Sequence, residues 1–137
     1  MSMIAIGKYS RVEVENIEEM LSALEVNYFF QTIATTCSPE MTITEEEGTW
    51  TFKTSTIYKE FEMVFRDDEP FDFTTPDGRD VTCIAAIEDN KFTFIQTAKN
   101  DGEKSTKVIK EFNTLGCIVT IQLIGEDVTC VETYQRI

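Results

Sequence analysis

The chain has 137 residues, 42% of them hydrophobic and 11% aromatic, enough for one domain (1–137) with its own core. Its 25 acidic against 12 basic residues give a formal charge of −13, which argues against nucleic acid as a partner and against unassisted adsorption to anionic membranes. Histidine is absent, and with it the commonest general base and metal ligand, so zinc sites and Ser-His or Cys-His catalysis are not expected.

The opening MSMIAIGKYS lacks the basic segment and long apolar stretch of a signal peptide, and no later run is long enough to span a bilayer. Cys37, Cys83, Cys117 and Cys130 are scattered, with no C-x-x-C pair, so the expectation is free thiols in a reducing cytoplasm. A first strand is predicted around residues 5–14. In ENIEEMLSALE (15–25), Ile17, Met20, Leu21 and Leu24 follow helical spacing, with Asn16 and Glu19 as a capping pair. A second short helix is predicted over 28–36, ending before Ser38-Pro39.

From Glu40 onward the hydrophobic period is two, and segments rich in Thr, Ile, Val and Phe are broken by EEEG (45–48), RDDEP (66–70), TPDG (75–78), EDN (88–90), KNDG (99–102), NTLG (113–116) and IGED (124–127). That spacing predicts about ten short strands in an up-and-down antiparallel barrel or a sandwich, with the helical pair covering an open end.

One face of these strands carries Trp50, Phe52, Thr54, Thr56 and Tyr58. It continues through Phe61, Met63 and Phe65, through Phe92, Phe94 and Gln96, and through Thr106, Val108, Lys110 and Phe112. Val119, Ile121, Cys130, Glu132 and Tyr134 complete it. A solid core would reject Thr54, Thr56, Gln96, Lys110 and Glu132, whereas a cavity with apolar walls and a few polar anchors would hold them. The other reading is that some strands face the opposite way. Glu132 is the sharpest case, because a lone buried carboxylate needs a partner or a proton.

The whole chain from Gly7 to Arg136 resembles the intracellular lipid-binding proteins, the cytosolic fatty-acid- and retinoid-binding family. Gly7-Lys8-Tyr9 resembles the family's opening Gly-x-aromatic, and Asn16-Ile17-Glu18 its Asn-Phe-Asp helix start. FKTSTIYKEFEMVF (52–65) and FDFTTPDGRDV (71–81) stand in the family's order and spacing. Lys110-Glu111-Phe112 resembles its Arg-Glu-Leu, and Cys130-x-Glu132-x-Tyr134 its closing Cys-x-Arg-x-Tyr. The IGEDVTC turn is most like that of the retinoic-acid carriers. Arg11 and Ile17 depart from it, standing where a hydrophobe and an aromatic are usual.

The resemblance implies an all-β fold: a ten-stranded antiparallel up-and-down β-barrel, or β-clam, with a helix-turn-helix lid between the first two strands. It implies a ligand portal between the second helix and the turns near Tyr58 and near Thr74 to Asp77. Two inward basic groups and a tyrosine would hold a ligand carboxylate, and their positions are Lys110, Glu132 and Tyr134. One basic group is thus a lysine, which lacks the bidentate fork of arginine, and the other has changed sign. Glu132 can pair with Lys110, stand inward protonated or water-bridged, or face solvent through a bulge in the last strand. Arg136 shares its parity and could join the anchor, but near the chain end a solvated side chain is the expectation.

The expected function is a cytoplasmic, monomeric carrier of one hydrophobic ligand, a long-chain fatty acid. Phe52, Thr54, Tyr58, Phe61, Met63, Phe65, Asp77, Phe92, Phe94, Gln96, Val119 and Ile121 would join the anchor triad around it. The alternatives are a retinoid or another lipid with a neutral or cationic polar end, or a ligand-free interaction or storage protein. A Lys110/Glu132 acid–base enzyme lacks any further nucleophile or cofactor motif, so no catalytic residue, metal or cofactor is assigned. The absence of Lys and Arg from Asn16 to Thr36, with Glu18, Glu19 and Glu25 adding negative charge, points to transfer through water and no stable membrane insertion.

Overall fold

The computed structural model describes residues 2–26 and 38–137. A short 3₁₀ helix at Ser2–Ala5 leads into β1 (Gly7–Glu15) and the helix α1 (Ile17–Ala23). Nine strands follow: β2 (Glu40–Glu46), β3 (Thr49–Ser55), β4 (Glu60–Arg66), β5 (Phe71–Thr74), β6 (Asp80–Glu88), β7 (Lys91–Ala98), β8 (Thr106–Phe112), β9 (Gly116–Leu123) and β10 (Thr129–Arg136). The turn-rich segments read from the sequence fall between them. The predicted second helix, 28–36, lies outside the described residues.

All neighbours are antiparallel, in the order β4-β3-β2-β1-β10-β9-β8-β7-β6-β5. The first and last strands therefore meet at the centre of the sheet, which curls into a nearly closed barrel. Its seam lies between β4 and β5, which share no backbone ladder. Side chains bridge the seam: Phe65 of β4 stacks on Phe71 of β5 with ring centroids 5.5 Å apart. The turn between them is tied to β6, where Asp68 N donates to Ala85 O at 2.8 Å and Ile87 N donates to Asp67 Oδ1 at 2.9 Å.

Alternation places Phe52, Phe65, Phe92, Phe94 and Phe112 inside, packed with Trp50 and Tyr9. Their rings meet mostly edge-to-face, with Trp50–Phe92 at 4.9 Å, Phe52–Phe92 at 5.1 Å and Phe92–Phe112 at 5.5 Å. A second, smaller cluster under α1 joins Met20, Leu123 and Cys130, with Ile17, Leu24 and Ile121 against them. Ile121 touches both clusters.

Two local expectations change. Asn16 does not cap α1 with its side chain: it takes a left-handed backbone (φ 61°) at the sharp strand-to-helix corner, and its Nδ2 donates to Thr129 O of β10 at 3.3 Å. Arg136 is turned away from any anchor role. It lies over the Tyr9 ring, 4.8 Å from the centroid, and donates to Ile4 O at 2.7 Å and Ile6 O at 3.1 Å. It thus clamps the amino-terminal segment to the last strand.

Phe92 lies fully buried at the hub of the ring cluster. Phe92→Ala is expected to lower unfolding free energy by about 3–5 kcal/mol, and Ile95→Thr, on the outward face of the same strand, by about 0.5 kcal/mol or less. Urea denaturation of both variants checks the contrast; a larger loss for Ile95→Thr than for Phe92→Ala would mean that β7 faces the other way.

Candidate functional site

The ladder registers fix which inward residues share a level of the barrel. Lys110 of β8 pairs with Val119 of β9, which pairs with Glu132 of β10, which pairs with Val14 of β1. One level toward the aromatic end, Phe112, Cys117, Tyr134 and Arg11 follow one another in the same way. The β1–β10 register shifts between Arg11 and Glu13. This bulge turns Val12 and Glu13 outward together, so Arg11 and Val14 both remain inside.

Arg11 is consequently diagonal to Glu132, and the two form an ion pair: Nη1 donates to Oε2 at 2.9 Å, with the side chains only 7% and 12% exposed. Glu132 does face inward, but its partner is Arg11 and not Lys110. The reason lies in the register. Lys110 stands two strands away across Val119, roughly 10 Å at the usual strand spacing, whereas Arg11 is on the adjacent strand. The alternative of a solvent-facing Glu132 through a bulge in the last strand does not hold, since the register shift lies in β1 and Glu132 stays inside.

Lys110 reaches the other way. Its Nζ lies 3.6 Å from Met41 Sδ on β2, and 5.2 and 5.8 Å from the centroids of Phe52 and Phe94. β2 is four strands from β8 in the sheet, so this side chain crosses the barrel interior. Among the described residues, no carboxylate makes an ion pair with it. Burial pushes its pKa below the usual lysine range, an effect partly countered by the fields of Cys117, Glu132 and Cys83.

Tyr134 is buried, and burial, reinforced by Glu132, holds its phenol well above the ordinary range, so it stays protonated. A Cβ on Gly116 would collide with the Tyr134 carbonyl, so only glycine lets β9 begin this close to β10. Burial likewise raises the thiols of Cys83, Cys117 and Cys130 to about 12. They behave as small apolar groups rather than as nucleophiles.

Around this polar level, Phe52, Met63, Phe65, Phe92, Phe94 and Val119 are buried inside the barrel, and Thr54, Phe61 and Ile121 are half-buried. The inward side chains of Val108, Lys110, Ile121 and Glu132 keep partial accessibility although the barrel wall surrounds them. The interior at this level is therefore not packed solid.

Three expected residues stand apart from this level, Tyr58 and Asp77 on the turns expected to border a portal and Gln96 in a buried hydrogen-bond network. Tyr58 is 64% exposed on the β3–β4 turn, beside Ile57 at 87%, because that turn projects beyond the barrel wall. Asp77 is consumed by a structural network: it pairs with Arg79 at 2.7 Å and accepts a hydrogen bond from Thr75 Oγ1 at 2.8 Å. Arg79 also donates to Lys104 O at 2.7 Å and to Thr106 Oγ1 at 3.3 Å. Gln96 is buried in the same network, accepting from Thr106 Oγ1 at 2.8 Å. The network ties the β5–β6 turn to β7 and β8, next to a cleft shared with Leu24–Val26 at the end of α1. Arg11, paired with Glu132, and Arg79, the partner of Asp77, are the buried cations to which sequence reasoning gave no role. The signal for Arg11 was its presence where a hydrophobe is usual.

No family model matches the chain. A fatty acid-binding protein of Lepidoglyphus destructor is 33% identical over 131 residues, 95% of each chain. Cellular retinoic acid-binding protein 2 of Mus musculus is 33% identical over 134 residues, 95% of this chain and 96% of that one. The solved structure of the Schistosoma mansoni fatty acid binding protein in complex with arachidonic acid has a TM-score of 0.91 at 26% identity, covering 99% of this chain and 98% of that one. The chain belongs to the family of the fatty acid-binding and cellular retinoic acid-binding proteins.

The depressed lysine makes a stability prediction. Its folded-state pKa lies below the unfolded value of about 10.4, so its full stability contribution is present only above that value and is lost as pH falls through the folded pKa. Lys110→Met abolishes this dependence. Its stability advantage over the wild type is expected to be largest near neutral pH and to shrink as pH rises toward 10, read by urea denaturation at a series of pH values. A gap independent of pH would contradict a depressed Lys110.

Proposed function

We propose that the protein is a carrier that takes one long-chain fatty acid into the barrel and performs no chemistry on it. The observation that carries this reading is Lys110: an ammonium inside an aromatic-walled barrel, with no carboxylate paired to it among the described residues and with partly accessible neighbours at its level. A lipid carboxylate supplies the missing counter-charge, while its chain lies against the partly accessible Phe61, Val108 and Ile121, with Phe52, Met63, Phe65, Phe92, Phe94 and Val119 as the packed wall behind them. Thr54 borders the same interior, and Tyr134 offers a phenolic donor one level away. Membership in a family whose named relatives are binding proteins supports a carrier over an enzyme. The function is assigned to a monomer in the cytoplasm, consistent with free buried thiols.

Delipidated protein is expected to bind an apolar fluorescent probe that oleic acid displaces at one per chain, with a negative heat-capacity change from apolar burial. Loss of the charge-assisted contact in Lys110→Met should weaken oleic acid binding by roughly ten- to a hundredfold. Failure of the delipidated protein to bind any apolar probe at micromolar concentration favours an interaction or storage role instead.

A further inference from the structure

Two ion pairs are buried among the described residues, Arg79–Asp77 and Arg11–Glu132. The first is held by a turn, with Thr75, Lys104 and Thr106 completing its hydrogen bonds. The second stands on the barrel wall, in the same levels as Lys110 and Tyr134, and Glu132 keeps some accessibility toward the interior. This pair already contains the contact that a lipid carboxylate would make with a second cation. Its oxygen sits 2.9 Å from the guanidinium.

We propose that Glu132 is a built-in surrogate for a ligand carboxylate and determines head-group choice, keeping acid affinity down so that lipids with an uncharged polar end, such as a fatty alcohol, compete with the acid. This inference rests on the carrier reading. Two electrostatic facts support it. The Arg11 charge is neutralised within the protein, so an incoming acid has only Lys110 to gain from. The pair as a whole is neutral, so it offers the acid no net attraction to set against the desolvation of its carboxylate. A fatty alcohol meets neither effect. Glu132 partly counters the burial that lowers the Lys110 pKa and adds to the rise at Tyr134, so its field reaches both groups.

The test is the ratio of acid to alcohol affinity, which subtracts the burial of the shared chain. Oleic acid and oleyl alcohol are titrated against the same apolar probe, on wild type, Glu132→Gln and the double variant Arg11→Leu/Glu132→Arg. Both variants remove the internal counter-charge and leave a second cation facing the interior. In the wild type the alcohol is expected to bind within about tenfold of the acid. In each variant the acid-to-alcohol ratio should rise roughly tenfold or more, equivalent to about 1.4 kcal/mol. A Glu132 that serves only to hold Arg11 in place would change stability and leave the ratio alone. If Glu132→Gln does not fold, the double variant decides. A ratio within about twofold of wild type in a folded variant overturns the proposal, and so does a wild type that prefers the acid several hundredfold. In either case lipid uptake itself would leave the carrier reading standing. A wild type that binds neither lipid ends both.

Discussion

A carboxylate on the inside of a barrel can stay ionised only beside a cation, and the arrangement around Glu132 follows from that requirement. Removing a carboxylate from water costs several kcal/mol unless a well-placed partner repays it. Here the partner comes from the opposite end of the chain. Arg11 and Glu132 are 121 positions apart in sequence, yet β1 and β10 are neighbours in the sheet. The ion pair therefore forms only when the terminal strands meet in the correct register. A slip of one residue would send Glu132 outward and leave Arg11 among apolar groups. The bulge at Val12 belongs to the same solution, since it keeps Arg11 and Val14 on the inner face on either side of it.

The aromatic cluster and the polar level divide the interior between them. Rings from β3, β4, β7 and β8 fill one part so tightly that Phe52, Phe92 and Phe94 have essentially no accessible surface. Cation–π contact with Phe52 and Phe94 favours the charged form of Lys110, while desolvation disfavours it. The lowered pKa shows that desolvation prevails. The lysine is thus held in a state that an added negative charge would relieve, whereas Arg11 is held in one that is already relieved. The two interior cations thus differ in their partners: Arg11 has the Glu132 carboxylate, and Lys110 has aromatic faces and a thioether.

Most of the fold is legible in the sequence because its determinants are local. Alternating apolar residues and turn chemistry such as TPDG and KNDG specify strand and turn without reference to the rest of the chain, and most of β2 to β10 fall where those signals place them, although the break between β3 and β4 carries no such turn signal. What was not legible depends on register. Lys110 and Glu132 share inward parity, so parity alone makes them partners, and only the intervening Val119 shows that a whole strand separates them. Asn16 fits a capping pattern by spacing, but the corner between β1 and α1 demands a left-handed residue whose amide is within reach of Thr129. Asp77 looked like a portal residue on its turn, and it is the buried Arg79 beside it that commits its carboxylate to structure.

The distribution of charge also separates outside from inside. Of 25 acidic residues, Glu132 and Asp77 are held in buried ion pairs with Arg11 and Arg79, while strands such as β2 and β4 carry exposed glutamates. The exterior therefore presents a net negative field to any approaching anion. At physiological salt that field fades within about 8 Å, so it bears on the rate of approach more than on the final affinity. The Glu132 charge is different: it acts inside a low-dielectric interior where salt does not screen it. The outer field opposes a fatty acid anion, whereas inside the barrel Lys110 attracts it and Glu132 only cancels Arg11. The outer field weakens as ionic strength rises, and the inner arrangement persists. An uncharged lipid is indifferent to both, so salt dependence of uptake reports on the surface, and the difference between acid and alcohol that remains at high salt reports on the arrangement of Arg11, Glu132 and Lys110.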